Sequence, residues 1–378
     1  MASRTWRQLS RLGPDIILTA SASARDPFLS LPFLHALEAS AAIGPHTSWE
    51  PAHLIFARDG NPAALLPMYR KRDSRGEYVF DHAWAGAYQR YGLAYYPKLV
   101  TAVPFTPVPG PRLLLTPGEN EKDWMEDVLA AVRQECESQG ASGWHGLFVN
   151  QDWVTPAMQA GFAIREGCRF HWRNRAYRDF EDFLDTLTSK KRKDIRRERR
   201  RLAEKGVTCR RLSGSALEET AWDFFFECYV RTYQEHGQRP YLNRNFFRQI
   251  ADSMADQLTL VMAEDLSGPI ASALFFHSES TLYGRYWGAL RPVDGLHFET
   301  CYYQGVEHCI ERGLTDFDPG TQGEHKLLRG FAPTLTYSLH WLREPAFQSA
   351  ILRFVKEEQV EVRRYLQAAQ EALPYRQQ

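Results

Sequence analysis

Apolar and polar positions along the 378 residues change period several times, and each change marks an element. "LIFARDGNPAALLPMY", from Leu54, is an apolar run, an Asp59-Gly60-Asn61-Pro62 turn and a second apolar run, the pattern of a β-hairpin. A second hairpin pattern, "LVMAEDLSGPIASALFF", begins at Leu260. "EKDWMEDVLAAVRQECESQG" and "ETCYYQGVEHCIERG" place apolar residues at helical spacing and stop at Gly140 and Gly313, residues suited to the left-handed turn that ends a helix. The last segment, "AFQSAILRFVKEEQVEVRRYLQAAQEAL", predicts a C-terminal helix with one apolar face and alternating charges on the other. Helices that follow strands and lead into "HGLFV" or "LTDFDPG" imply an α/β (α+β) fold of mixed sheets with crossover helices.

The two hairpins belong to a longer repetition. Ala57, Asp59 and Pro62 correspond to Ala263, Asp265 and Pro269, and further on Gly161-Phe162-Ala163…His171-Trp172 corresponds to Gly330-Phe331-Ala332…His340-Trp341. Two landmarks in the same order in each half predict an internal duplication. The domains expected are 1–178, then 179–343 opening with a basic helix, then the helix of 344–378. The first copy is the longer, and its surplus falls at about 71–112. That stretch is dense in Tyr, Trp, Arg, Pro and Gly, as expected of an ordered loop over a pocket.

Composition is that of an ordinary folded protein, 44% hydrophobic and 24% charged, with no low-complexity tract. Six cysteines without a C-x-x-C pair read as small buried residues rather than staples. No leader pattern and no run of 18 apolar residues is present, so the expectation is a cytoplasmic protein without a membrane span. Charge changes the picture more. The formal net charge is zero, yet "SKKRKDIRRERRRLAEKG", Ser189 to Gly206, carries ten basic and three acidic side chains. Ser189 is a suitable N-cap, and Ile195 and Leu202 form a narrow apolar stripe. Two readings stand level: a surface for a phosphate-rich partner such as RNA or a nucleotide-linked sugar, or a solvated helix whose arginines pair with carboxylates elsewhere. An anionic membrane surface is a weaker candidate, because the stripe has little area to insert.

"FDPGTQGEHKLLRGF", Phe317 to Phe331, gathers Asp318, Gln322, Glu324, His325, Lys326 and Arg329 among three glycines after a strand. It is not a P-loop, since His325 and Leu327 flank the lysine where Gly and Ser or Thr are required. Adjacent Glu324 and His325 do not converge on one metal ion, and no nucleophile elbow or dinucleotide fingerprint occurs. What remains is direct acyl transfer to an amine, which needs positioning, a proton acceptor and a polarised carbonyl. In that reading Asp318 or Glu324 accepts the amine proton and Lys326 holds a phosphate or the oxyanion. Tyr302 and Tyr303 border the acceptor, and Gln322, His325 and Arg329 complete the contacts. In the first copy, Tyr96, Lys98 and Arg112 suit an anionic ligand.

"SKKRKDIRRERRRLAEKGV", "FETCYYQGVEHCIERGLTDFDPGTQGEHKLLRGF", "GEYVFDHAWAGAYQRYGLAYYPKL" and "VPFTPVPGPRLL" together resemble the FemAB-like acyltransferases, over roughly residues 20–345. The resemblance implies two tandem GNAT-like domains. It also implies transfer of an amino acid from aminoacyl-tRNA to an amine of a peptidoglycan precursor, without metal or bound coenzyme. The basic helix opens the second domain in such proteins, which carries Lys193, Arg196, Arg197 and Arg200 over as substrate contacts; Lys326 with Phe331 is similar to their late lysine. Ordinary GNAT enzymes bind acetyl-CoA pyrophosphate through [QR]-x-x-G-x-[GA]; here Arg291 and Gly295 are out of register, and His297 and Phe298 are bulky. The expected function is thus an N-acyltransferase or aminoacyltransferase. The alternatives are an acyl-CoA-dependent N-acetyltransferase and a non-catalytic module binding a polyanion or peptidoglycan precursor.

Overall fold

The computed structural model describes residues 3–6, 26–321 and 323–376. The chain divides into two compact units, Met1–Cys168 with Leu335–Tyr365 and Arg169–Thr334 with Leu366–Gln378. These differ from the contiguous spans 1–178, 179–343 and 344–378, because two long strands and the last helix each contribute residues to both units.

In the first unit the order is β1 (Ser3–Trp6), α1 (Leu31–Ala39), β2 (Trp49–Pro51), β3 (His53–Arg58), β4 (Asn61–Leu66), β5 (Tyr69–Lys71), α2 (His82–Arg90), β6 (Lys98–Thr101), β7 (Leu114–Leu115), α3 (Glu121–Ser138), β8 (Gly143–Val149), α4 (Val154–Gln159) and β9 (Ala163–Arg173). β3 and β4 are the expected hairpin, with Asp59 and Gly60 at positive φ in its turn. α3 ends as expected, with Gly140 at φ 61°. Its apolar face, Trp124, Val128, Leu129 and Val132, covers a core that includes Leu54, Leu66, Leu99 and Trp144. The stretch 71–112 is not a loop over a pocket. It contributes α2 and the fully buried strand β6, which runs parallel to β8 and antiparallel to β5. Its aromatic residues are core: Trp84, Tyr88 and Tyr95 pack with Leu342, Ile351 and Val355.

The second unit continues with α5 (Phe180–Asp185), α6 (Ser189–Glu204), β10 (Thr208–Ser213), α7 (Glu219–Glu235), α8 (Arg244–Met254), β11 (Leu258–Asp265), β12 (Gly268–His277) and β13 (Thr281–Ala289). There follow α9 (Leu296–Phe298), a π turn (Glu299–Tyr303), α10 (Gln304–Arg312), β14 (Asp316–Asp318), a 3-10 turn (Glu324–Arg329), β15 (Ala332–Leu342) and α11 (Pro345–Glu371). β10 to β13 form an antiparallel meander, and β14 joins parallel to β13 and antiparallel to β9. α7 packs on β13 where Gly288 has no side chain; a Cβ there would collide with the Cys228 carbonyl.

The repetition read from the sequence has structural counterparts. β11–β12 is the second hairpin, and the register slips between Phe56 and Ala57 in one hairpin and between Ala263 and Glu264 in the other. The Gly-Phe-Ala landmarks open β9 and β15, each after a glycine at positive φ. α6 buries Ile195 and Leu202 as its stripe requires, but its N-cap is Thr188, with Ser189 already inside the helix. No described helix is long and apolar enough to cross a membrane.

Candidate active site

β13 and β14 run side by side through Thr281–Asp316, Leu282–Phe317 and Tyr283–Asp318, and the pairing stops there. Pro319 follows with no N–H to donate, and its Cα stands 3.4 Å from where a Cβ of Gly284 would be. β13 also slips register against β12, Leu274 facing Tyr286 and Phe275 facing Gly284, which leaves Arg285 as the bulged residue. Two parallel strands thus part beside a bulge.

Asp318 closes β14 at that point, 1% exposed. Its Oδ1 accepts from Arg169 on β9 at 2.9 Å and from the Gly320 N–H at 2.9 Å, and its Oδ2 lies 3.5 Å from His171 Nε2. Burial alone would raise this carboxyl; Arg169, His171 and the Gly320 amide overturn that and hold it well below the usual carboxylate range. The sequence offered Asp318 as proton acceptor, yet a carboxylate so stabilised as an anion is a poor base. It is the counter-ion of Arg169. Arg169 and His171 were missed, because their strand reads as the end of the first copy and no local signal points from it to β14.

Lys326 sits in the 3-10 turn bounded by Gly323 and Gly330, both at positive φ. A Cβ on Gly323 would collide with the His325 ring, so that glycine is required by space as well. The lysine is 1% exposed, and its Nζ donates to the Gly320 carbonyl at 2.7 Å. Burial lowers its pKa to about 7, with Arg169 and Arg285 adding to the effect and Asp318 opposing it. The Lys326 amine thus changes charge near neutrality.

Around it stand several of the residues singled out from the sequence. Tyr302 bonds His325 Nε2 through its hydroxyl at 2.8 Å, and Lys326 Nζ is 6.0 Å from the Tyr302 ring centre. Tyr303 donates its hydroxyl to Glu198 and accepts from Arg329 Nε at 2.8 Å. Glu324, opening the turn, is exposed, and Gln322 lies outside the described residues. Asp318, Lys326, Tyr302, Tyr303, His325 and Arg329 therefore form one cluster in the second unit.

The basic helix resolves into two faces. Inward, Arg199 grips Glu299 at 3.0 Å through two nitrogens and Glu307 at 2.6 Å, its guanidinium 4.7 Å from the centre of the Phe180 ring. Outward, Lys193, Arg196, Arg197 and Arg200 are exposed. Arg196 pairs with Glu181, Arg197 with Asp194 and Arg200 with Glu204, contacts worth little in water and easily exchanged for phosphate. Pairing with carboxylates thus accounts for Arg199 on the inward face, while the outward cations are exposed and only loosely paired.

In the first unit the structure corrects two expectations. Arg112 is 2% exposed and bonds the carbonyls of Val108, Pro111, Leu147 and Phe148, all at 2.7–2.8 Å. It satisfies the backbone where β8 leaves its parallel partner and offers nothing to a ligand. Lys98 is fully buried and donates to Ser74 at 2.9 Å, Glu77 at 2.7 Å and Asp81, so its three protons are taken. Asp81 also accepts from Tyr95 at 2.6 Å, and the chain of contacts runs on through His145 to His340 and Ser338. Tyr96 is half-buried, its hydroxyl 2.8 Å from Ser74.

The segment Arg291–Phe298, where the [QR]-x-x-G-x-[GA] spacing is out of register, packs its side chains against the rest of the chain. Arg291 pairs with Asp265, His297 packs edge-on against Trp287 at 4.8 Å, and Phe298 lies 3.5 Å beneath the Arg329 guanidinium. Among the described residues, no three His, Cys, Asp or Glu side chains are grouped to hold a metal ion.

The family model of FemAB-like proteins, described as peptidoglycan biosynthesis/recognition, matches residues 1–377. No curated protein matches the chain. Among solved structures, FemX is similar at 11% identity and a TM-score of 0.51, over 85% of this chain and 93% of that one. L-PGS from Bacillus licheniformis is similar at 11% identity and a TM-score of 0.51, over 85% and 96%. At such identities the likeness concerns the fold alone, a mixed α/β architecture.

Proposed function

This chain belongs to the FemAB-like family of peptidoglycan biosynthesis and recognition, and from that premise we infer that it is an aminoacyltransferase passing an aminoacyl group to an amine at the Lys326 centre. The observation that carries the reading is a buried lysine poised near neutrality beside the Arg169–Asp318 pair, where two parallel strands part.

Direct transfer forms one C–N bond and breaks one C–O bond, and a single proton passes from the attacking amine to the leaving oxygen. The amine attacks as the neutral base. Lys326, in its charged form, donates to the oxyanion of the tetrahedral intermediate, and Gly320, whose carbonyl holds the ammonium, fixes its direction. Asp318 keeps Arg169 neutralised, so that the lysine remains the movable charge. Aminoacyl-tRNA is the donor favoured, because the pyrophosphate-binding spacing is out of register, with His297 and Phe298 packed against Trp287 and Arg329, and the outward cations of α6 suit a phosphate backbone. The acceptor is an amine of a cell-wall precursor.

Purified protein is incubated with charged tRNA and, separately, with acyl-CoA pools, each with amine-bearing peptidoglycan precursors, and products are read by mass spectrometry. Consumption of charged tRNA is expected. Lys326→Met lowers kcat by about 10²–10³, and kcat/KM of the parent falls as pH rises above about 7, where the lysine loses its proton. Consumption of acyl-CoA alone would overturn the donor, and an unimpaired Lys326→Met the mechanism. Salt-sensitive RNA binding with no turnover of either donor would leave the binding module standing.

A further inference from the structure

Only three acidic residues interrupt the basic run, and one of them, Glu198, points inward. Its two oxygens accept from Arg329 Nη2, both at 2.9 Å, and one also accepts from the Tyr303 hydroxyl. Arg329 is 8% exposed and has no slack: Nε donates to Tyr303 at 2.8 Å, Nη1 to the His325 carbonyl at 3.0 Å, and its plane lies 3.5 Å from the Phe298 ring centre. One guanidinium therefore joins α6, the π turn and the 3-10 turn that carries Lys326. We propose that Glu198 and Arg329 are positioning residues, locking the Lys326 turn onto α6 so that the amine is held buried against the Gly320 carbonyl.

The physical case rests on what the turn has besides this pair. It is a single 3-10 turn of six residues, and such turns are weakly held by their own backbone. Without the Glu198 carboxylate, the Arg329 guanidinium is left nearly buried beside no anion, a costly state that it escapes by swinging toward water. Its bond to the His325 carbonyl goes with it. Lys326 then gains solvent, and since burial is the main cause of its low pKa, its titration moves up toward that of an ordinary lysine. The groups that face the amine are Asp318 from β14, Arg169 from β9, Arg285 from β13, Cys301 and Tyr302 from the π turn, and His325 and Arg329 from its own turn, with His297 from α9 nearby. None of these changes sign in the variants below except where Arg329 itself is moved.

The functional meaning rests on the transfer reading, but the first readout does not. Lysine 13Cε signals are followed by NMR through pH 5 to 11 in the full chain, with Lys326→Arg identifying the resonance. In the parent the signal is expected to titrate near 7. In Glu198→Gln, which keeps the shape, and in Arg329→Lys, which keeps the charge, the midpoint rises by about one pH unit or more. Where transfer is measured, kcat falls by about tenfold while KM for the donor stays within about twofold. Midpoints unchanged in both folded variants, circular dichroism being that of the parent, overturn the proposal even if transfer is found. Shifted midpoints with no transfer activity support the positioning and count against the reaction.

Discussion

A charged side chain is judged by what its protons do once the chain is folded, and Lys98 is the sharpest case. On paper a lysine among tyrosines and prolines suits an anionic ligand; in the fold its ammonium is divided among Ser74, Glu77 and Asp81 with no surface exposure. Burial would lower its pKa, but the two carboxylates reverse that and raise it. Glu77 is pushed up to about 7 by burial in spite of the lysine, while Asp81 is held well below the carboxylate range once Lys98 and His145 overcome its burial. Lys98→Met leaves buried Asp81 without its cation and Glu77 with only Lys71 at 3.9 Å, and is expected to destabilise the protein by about 3–5 kcal/mol. Urea denaturation checks this; a variant as stable as the parent but with an altered KM would restore the ligand-binding role. The same contrast separates Lys326 from Lys98, since one is held by a neutral carbonyl and the other by two anions.

At the scale of elements, α6 shows how a helix so charged is built into a fold. Ile195 and Leu202 give it an apolar seam, and Arg199 and Glu198 on neighbouring flanks tie it to Glu299, Glu307, Tyr303 and Arg329. The outward cations carry no such duty, so their removal costs the fold little. Reversing Arg197, Arg200 and Arg201 to glutamate is expected to leave the melting temperature nearly unchanged. It should also abolish binding to a tRNA-sized RNA at moderate salt. Neutralising the same arginines one at a time should flatten the log–log salt dependence by about 0.7–0.9 for each phosphate that no longer meets a cation. Fluorescence anisotropy across a salt series measures both. If affinity survives the triple reversal, the exposed face of α6 is a solvated surface and the donor's phosphates lie elsewhere.

For the molecule as a whole, the buried histidines govern acid stability. His145 is lowered to about 3 by burial and then by Lys98, against Asp81, and His340 is well below its usual value through burial and His145. His297 and His308 are each lowered to about 4, by burial first and then by His325 and Arg211 respectively. Below 6.5 the unfolded chain protonates these rings while the folded one does not, so stability falls as pH drops from 6.5 toward 4. Glu77, raised to about 7, and Asp26 and Glu121, also raised by burial, work the other way, but His277 and His325 are lowered too, so six rings oppose three carboxyls. The Nδ1–Nδ1 contact of His145 and His340, 2.7 Å, also requires one ring to lack a proton there. The denaturation midpoint is therefore expected to be lower at pH 5 than at pH 7. His308→Gln should remove about 1–2 kcal/mol of that difference. Equal midpoints at the two pH values would show that these rings are charged in the fold.

The pattern of apolar positions by itself determined the hairpins, the helices ending at Gly140 and Gly313, the last helix and the repeated landmarks, because each depends on periods and turn residues within about 20 positions. It also placed Lys326, Tyr302, Tyr303, His325 and Arg329 in one neighbourhood, since a single strand–turn segment and the helix before it carry them all. Tertiary structure decided the rest. The 71–112 stretch reads as loop because its turn-rich composition hides a short helix and a strand whose burial comes from pairing with β8, some 45 residues further on. Which cations are spent on carbonyls or carboxylates depends on partners that folding brings up, Glu77 from 21 positions away for Lys98, Glu299 from 100 for Arg199 and Asp318 from 149 for Arg169. A local sequence sets what a side chain is able to do; the desolvation and the neighbouring charges that fix its pKa exist only after distant strands have closed around it.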